Sequence, residues 1–255
     1  MTWDQHGHPL AAAIAFVVVG LVGWFVPRLI ASVPEPEPIE PEPTEPEPTE
    51  PEPSEPPPTA APKELYVDLA RHPGLALRCA ASSAVVAGIL GASVGWHGAL
   101  LVLLPLVPIG VALAVIDWST TLLPTRIIGP SYGLVVLAVL AAGAFDQDRD
   151  AVFRSGLGWL AMGGFFVLLW LIYPRGLGYG DVRLSGVLGL ALGYVGWAAL
   201  IAGAYGAFLI GGIGGGLLGA LRIVDRKRFP FGPFMLVAAV LGVAFGQAIA
   251  AGLGY

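Results

Sequence analysis

Long apolar stretches separated by short breaks leave this chain few ways to fold. Residues 9–30, 76–95, 98–116, 127–145, 156–173 and 231–253 are runs of the length that crosses roughly 30 Å of hydrocarbon. The stretch 182–221 is too long for one crossing at about 1.5 Å of rise per residue. It is expected to break near Gly193 and Tyr194 into a short helix and a full one. Charged residues make up 12% of the chain, against about 25% in soluble domains. The 36 glycines suit helices that pack closely inside a bilayer. The expected fold is therefore an all-α polytopic membrane protein of about eight transmembrane helices.

The formal net charge of −5 is misleading, because nine glutamates fall within residues 34–58 and the remainder carries 9 − 5 = +4. No basic domain offers itself to nucleic acid. In "PEPEPIEPEPTEPEPTEPEPSEPPP", proline removes backbone donors and glutamates repel one another, so neither helix nor sheet is expected there. The chain divides accordingly into an N-terminal transmembrane helix (1–32), a disordered Pro/Glu-rich cytoplasmic linker (33–62) and a membrane-embedded domain (63–255). The leading segment "MTWDQHGHP" has no Lys or Arg, so residues 9–30 are expected to be a retained span and not a cleaved signal.

Basic residues orient the whole. With the N-terminus outside, eleven Lys and Arg fall on the inside, from Arg28 to Arg228, and only Arg149 and Arg154 fall outside. Both termini are then outside and the linker is cytoplasmic. Cys79 is the single cysteine, and His6, His8, His72 and His97 are dispersed, so no metal site is expected. The spacing Gly214-x-Gly216-x-x-Gly219 fits a dinucleotide fingerprint formally. It lies in an apolar run with no preceding strand, which favours close helix packing instead. Trp96, Trp159, Trp170 and Trp197 fall mostly near expected span ends and read as interfacial anchors.

Two acids stand out in this background. Asp181 lies in "GLGYGDVRLSG" and Asp117 in "ALAVIDWSTTLLPTRI". Two expected spans separate them, which returns the chain to the same side. Each has a bland explanation: Asp181 as the cap of a helix beginning at Val182, Asp117 as an interfacial residue before a turn. Yet ionisable groups at membrane depth are costly and tend to be functional. Two carboxylates brought close share one proton, so one can take a proton from water while the other polarises a peptide carbonyl. Gly178 and Gly180 would let a substrate backbone approach, having no Cβ.

Gly178-Tyr179-Gly180-Asp181 resembles the GxGD motif of intramembrane aspartic proteases. Together with "IDWSTTLLPTR" and "RKRFPFGPF" (226–234), in that order along 76–254, it resembles the type IV prepilin peptidases. The resemblance implies an aspartic endopeptidase of the bacterial inner membrane that removes leader peptides from prepilins or pseudopilins at the cytoplasmic face. Asp117 and Asp181 would be catalytic, Gly178 and Gly180 substrate-positioning, with no cofactor required. Bacterial members often carry two Cys-x-x-Cys pairs between the first two spans, tied to zinc and to methylation of the new pilin terminus. Here that position holds the Pro/Glu segment, so the resemblance carries cleavage and not methyl transfer. Thr125 stands where Asp is common in the family, and Arg183 where Lys is common. The competing reading is a transporter or scaffold whose acids handle protons or cap helices, or a peptidase fold without activity.

Overall fold

The structure is a computed structural model that describes residues 8–35, 65–174, 177–220 and 230–254, with side chains omitted for 214–220. Most of the segment expected as a linker, and the glycine pattern at 214–219 as a packing motif, therefore lie outside what is described. Among the described residues every regular element is a helix. Backbone groups in a bilayer have no water to bond, and a helix satisfies them within one segment.

The elements are α1 (Pro9–Gly23), α2 (Val26–Ala31), α3 (Tyr66–Ala70), α4 (Leu75–Val94), α5 (Ala99–Leu103), α6 (Leu106–Thr120) and α7 (Thr125–Asp146), then α8 (Arg149–Gly158), a π-helix (Trp159–Gly163), α9 (Gly164–Ile172), α10 (Tyr179–Val195), α11 (Trp197–Ala220) and α12 (Gly232–Gly252). Among the described residues six rods are long and apolar enough to cross a membrane: Pro9–Ala31, Leu75–Val94, Ala99–Thr120, Thr125–Asp146, Arg149–Ile172 and Gly232–Gly252. Three of these are assembled from shorter pieces. Pro105, for example, separates α5 from α6, because a prolyl ring removes one ladder bond.

α10 is the axis of the domain. From Asp181 to Val195 every residue except Arg183 is buried, against neighbours on α7, α8, the π-helix, α9, α11 and α12. Its 17 residues span only about 25 Å at 1.5 Å per residue, which a helix sheathed by others tolerates. The expected break of the 182–221 stretch comes at Gly196, whose φ of +154° favours glycine. Arg154 completes this end by donating from Nε to the Gly193 carbonyl (2.9 Å) and from Nη2 to the Tyr194 carbonyl (2.8 Å). These are carbonyls that the helix itself leaves without partners. Arg149 and Arg154, expected in a loop, thus sit on α8. Asp148 starts that helix by accepting the Ala151 N–H at 2.8 Å.

The descending chain after α2 is also anchored. Val33 is buried, and the Glu35 carboxylate accepts the Val67 N–H at 3.1 Å, at the start of α3.

Close approach of α8 to α10 depends on paired glycines. A Cβ at Gly158 would run into the Gly189 carbonyl, and one at Gly193 would lie 2.8 Å from the Arg154 carbonyl. Around Gly156 there is open space. Gly158→Leu should therefore lower stability by at least the 1–3 kcal/mol typical of overpacking, while Gly156→Leu should be close to neutral. Thermal unfolding of the two variants in detergent measures the difference.

Candidate active site

Asp117 occupies the last turn of α6, 4% exposed. Its Oδ2 accepts the backbone N–H of Gly232, the first residue of α12, at 2.9 Å. The helix stops because Thr121 turns into the left-handed region (φ +54°), its N–H closing on the Asp117 carbonyl at 2.8 Å. Leu122 and Leu123 then lead to Pro124, from which α7 starts.

Asp181 is the third residue of α10, 8% exposed. The helix starts at Tyr179 with Gly178 as its cap, three residues earlier than the Val182 start considered from the sequence. From this position the carboxylate reaches back and accepts the Gly178 N–H, the geometry an acid takes at the third position of a capping box. The capping explanation is thus half right. The other oxygen, Oδ1, is buried and has no hydrogen-bond partner among the described residues. A carboxylate that served only as a cap would leave its spare oxygen in water, because burying it unpaired is costly.

Leu123 joins the two sites. A Cβ on Gly180 would lie 2.6 Å from Leu123 Cβ, and one on Gly232 would lie 3.3 Å from Leu123 Cδ1 and 2.8 Å from Asp117 Oδ2. A Cβ on Gly178 would lie 2.9 Å from Asp181 Oδ2. The room that these glycines leave is taken up by the protein's own packing. The α10 start, which carries Asp181, the α6–α7 turn, which follows Asp117, and the α12 start are drawn into one contact. Among the described residues no three His, Cys, Asp or Glu gather into a set that could hold a metal.

A second layer holds the start of α10. Arg183 donates from Nη1 to the Thr125 hydroxyl, and its guanidinium lies 4.3 Å from the Tyr179 ring centroid. Tyr179 packs on Trp170 at 5.2 Å. Tyr132 of α7 donates its hydroxyl to the Arg183 carbonyl at 2.8 Å and accepts from Trp159. Trp159 lies within the Arg149–Ile172 rod, at the start of the π-helix, where widened turns are common near functional sites. It is a bonded member of this layer and is 48% exposed. Behind Gly232, Phe231 packs against Phe208 (5.8 Å) and Phe166 (6.3 Å).

With this geometry in hand the chain can be placed among known proteins. A model of the type IV leader peptidase family matches residues 104–252, which contain both aspartates, Leu123 and Gly232. The chain belongs to that family. It is 33% identical over 185 residues to a prepilin leader peptidase/N-methyltransferase of Pseudomonas putida, covering 70% of this chain and 60% of that protein. Against the one from Aeromonas salmonicida strain A449 it is 33% identical over 183 residues, covering 71% and 60%. Against the one from Bacillus subtilis strain 168 it is 29% identical over 144 residues, covering 54% and 53%. The chain spans about 60% of the length of the first two. No solved structure matches it. With its apolar rods and these bacterial relatives, this family member is a multi-pass protein of the bacterial inner membrane.

Two features of the site escaped the sequence. Gly232 was noticed only as part of a loop motif, and its N–H as a partner for Asp117 could not be anticipated. Leu123 carried no signal beyond standing before Pro124. Thr125 and Arg183 did carry one: both depart from the family pattern, and the structure brings them into contact.

The Trp159–Tyr132–Arg183 chain of hydrogen bonds makes a quantitative expectation. Tyr132→Phe removes both bonds and should cost about 2 kcal/mol of stability, and Trp159→Phe removes one and should cost about 1 kcal/mol, the usual net worth of one hydrogen bond. Because the bonds run in series, the double variant should cost less than the sum. A double-mutant cycle on unfolding in detergent tests this, and strict additivity would dissolve the chain.

Proposed function

We propose that this family member is an aspartic endopeptidase that cuts leader peptides from prepilins or pseudopilins at the cytoplasmic membrane face, with Asp117 and Asp181 as its reacting pair. The observation that carries the reading is that the end of α6 and the start of α10, each bearing a buried carboxylate, meet with the start of α12 around Leu123, and that one carboxylate keeps an oxygen with no hydrogen-bond partner among the described residues. An oxygen in that state suits a water molecule or a peptide carbonyl. Family membership and the relatives' names support the substrate class. In the same reading the chain crosses the membrane eight times, both termini lie outside, and 33–62 is a cytoplasmic linker leading into the 63–255 domain.

The chemistry follows from the pair. One carboxylate is ionised and one protonated. The ionised member takes a proton from a water molecule, whose oxygen attacks the scissile carbonyl carbon, while the protonated member donates a hydrogen bond to the carbonyl oxygen. The tetrahedral intermediate collapses as the amide C–N bond breaks, and the departing nitrogen receives a proton from the pair. Gly178 and Gly180 hold the backbone beside which the peptide lies. The Gly232 N–H and the Gly178 N–H keep each carboxylate oriented through the cycle, which saves reorganisation at the moment of reaction.

Asp117→Asn and Asp181→Asn should each reduce leader cleavage by at least about a thousandfold while the protein still inserts and folds, since neither single-carboxylate site has a base and an acid together. Asp150→Asn is the appropriate control, because Asp146 bonds to Gly98 and Tyr194 and Asp148 caps α8. Cleavage of a purified prepilin by variants in lipid vesicles, read by the mass of the product, decides the assignment. Near-normal cleavage by either Asn variant would sink it.

The pair also sets a pH dependence. Below the first macroscopic ionisation both acids are protonated and no base exists, so cleavage should rise as pH increases through it. Above the second ionisation the shared proton is gone, and cleavage should fall. A bell-shaped rate profile that persists in the presence of chelators is expected. A rate that climbs monotonically to high pH would point to another mechanism.

A further inference from the structure

The end of α10 away from the aspartates opens on a groove that the cleavage chemistry does not use. It encloses about 1290 Å³ between α11 and α12 and reaches Arg154 on α8. Its walls are apolar, formed by residues such as Ile201, Phe208, Leu209, Ile249 and Leu253. Three polar groups interrupt them: Arg154, Tyr205 and Gln247.

The groove has the dimensions of one leaflet. Its lining on α11 runs from Trp197 to Leu209, a rise of about 18 Å at 1.5 Å per residue. Half of a bilayer's hydrocarbon is about 15 Å. A membrane helix of another protein would need twice that depth, whereas an acyl chain needs only this much. The volume also exceeds the roughly 300–1,000 Å³ of ordinary small-molecule pockets.

The polar groups fit the same occupant. Arg154 is fixed by its Nε and Nη2 bonds to the α10 carbonyls, while its Nη1 has no hydrogen-bond partner among the described residues. Of the acids nearest in sequence, Asp146 accepts from Gly98 and Tyr194 and Asp148 from Ala151, while Asp150, one turn earlier on α8, makes no ion pair with Arg154 among the described residues. A pre-oriented cation at the mouth of an apolar slot calls for an anion that carries its own apolar tail. Trp197, 46% exposed, lines the same groove at the first residue of α11, and indoles favour the membrane interface. Gln247 is exposed and Tyr205 is 78% exposed, and polar groups facing hydrocarbon need partners that lipid ester oxygens can supply.

We propose that this groove binds one phospholipid from the leaflet on the Arg154 side, with its phosphodiester paired to the Arg154 guanidinium and an acyl chain laid along α11 to Phe208. The proposal does not rest on the cleavage chemistry proposed above.

The test is lipid retention by the whole chain, read by native mass spectrometry from mild detergent. The protein is offered phosphatidylglycerol or diacylglycerol with identical chains. Wild type should hold one phosphatidylglycerol per chain and prefer it at least tenfold over diacylglycerol. Ala202→Trp, which fills the groove without touching the Arg154 bonds, should lose that retention at least tenfold. Arg154→Gln should abolish the preference for the phosphate, and it is read only where unfolding shows the variant intact. Equal retention of both lipids by wild type, or undiminished phosphatidylglycerol on Ala202→Trp, would overturn the proposal. A lipid-free dimer of wild type that Ala202→Trp converts to monomer would give the groove to a second copy and overturn it equally.

Discussion

A carboxylate at membrane depth survives only where the protein supplies its hydrogen-bond donors, and both acids in this bundle are supplied from backbone at helix starts. Asp117 takes the N–H of Gly232 and Asp181 that of Gly178, each an amide that its own helix leaves unpaired. Helix starts also carry the positive end of the peptide dipole, which suits an anion. The arrangement forces the starts of α10 and α12 to meet the end of α6, and the turn at Leu123 lies where they meet. The long rods around them are positioned by this requirement as much as by their own packing.

Glycine has two distinct uses in this protein. Along α8 and α10 it brings backbones into contact, which is how small residues stabilise helix pairs where lipid is as apolar as the side chains. At Gly180 and Gly232 it makes room for one leucine, and at Gly178 for the carboxylate itself. The GxGD pattern is therefore a packing requirement in this structure, and its chemical value follows from the burial that the packing achieves.

The layer behind the pair shows how two helices are tied at the start of α10. Thr125 and Arg183, positions where the family resemblance leads one to expect an acid and a lysine, are joined by a hydrogen bond, with the guanidinium also covering Tyr179. Arg offers a planar fork and stacks on aromatic faces, so it can hold an uncharged partner where an ammonium would favour a carboxylate. Together with Tyr132 and Trp159, this ties the first turn of α10 to α7 and to the widened turn before α9.

The apolar runs were enough to establish an all-helical membrane protein, because span length and the absence of charge are local properties that no partner alters. The break in the 182–221 stretch was legible as well and came at Gly196, two residues beyond Tyr194. Asp117 and Asp181 were legible as rare acids, and the two intervening rods, Thr125–Asp146 and Arg149–Ile172, separate them in the structure too. What each carboxylate touches was not legible. Asp117 and Gly232 are 115 positions apart, and nothing in the chemistry of a glycine announces that its N–H will meet a distant acid. Arg154 read as a loop charge and became the clasp on the end of α10, and Trp159, which read as an anchor, is also a donor to Tyr132. Hydropathy assigns a residue to a phase, but the partner of a polar group inside that phase depends on which helices pack together, and only the tertiary structure decides that.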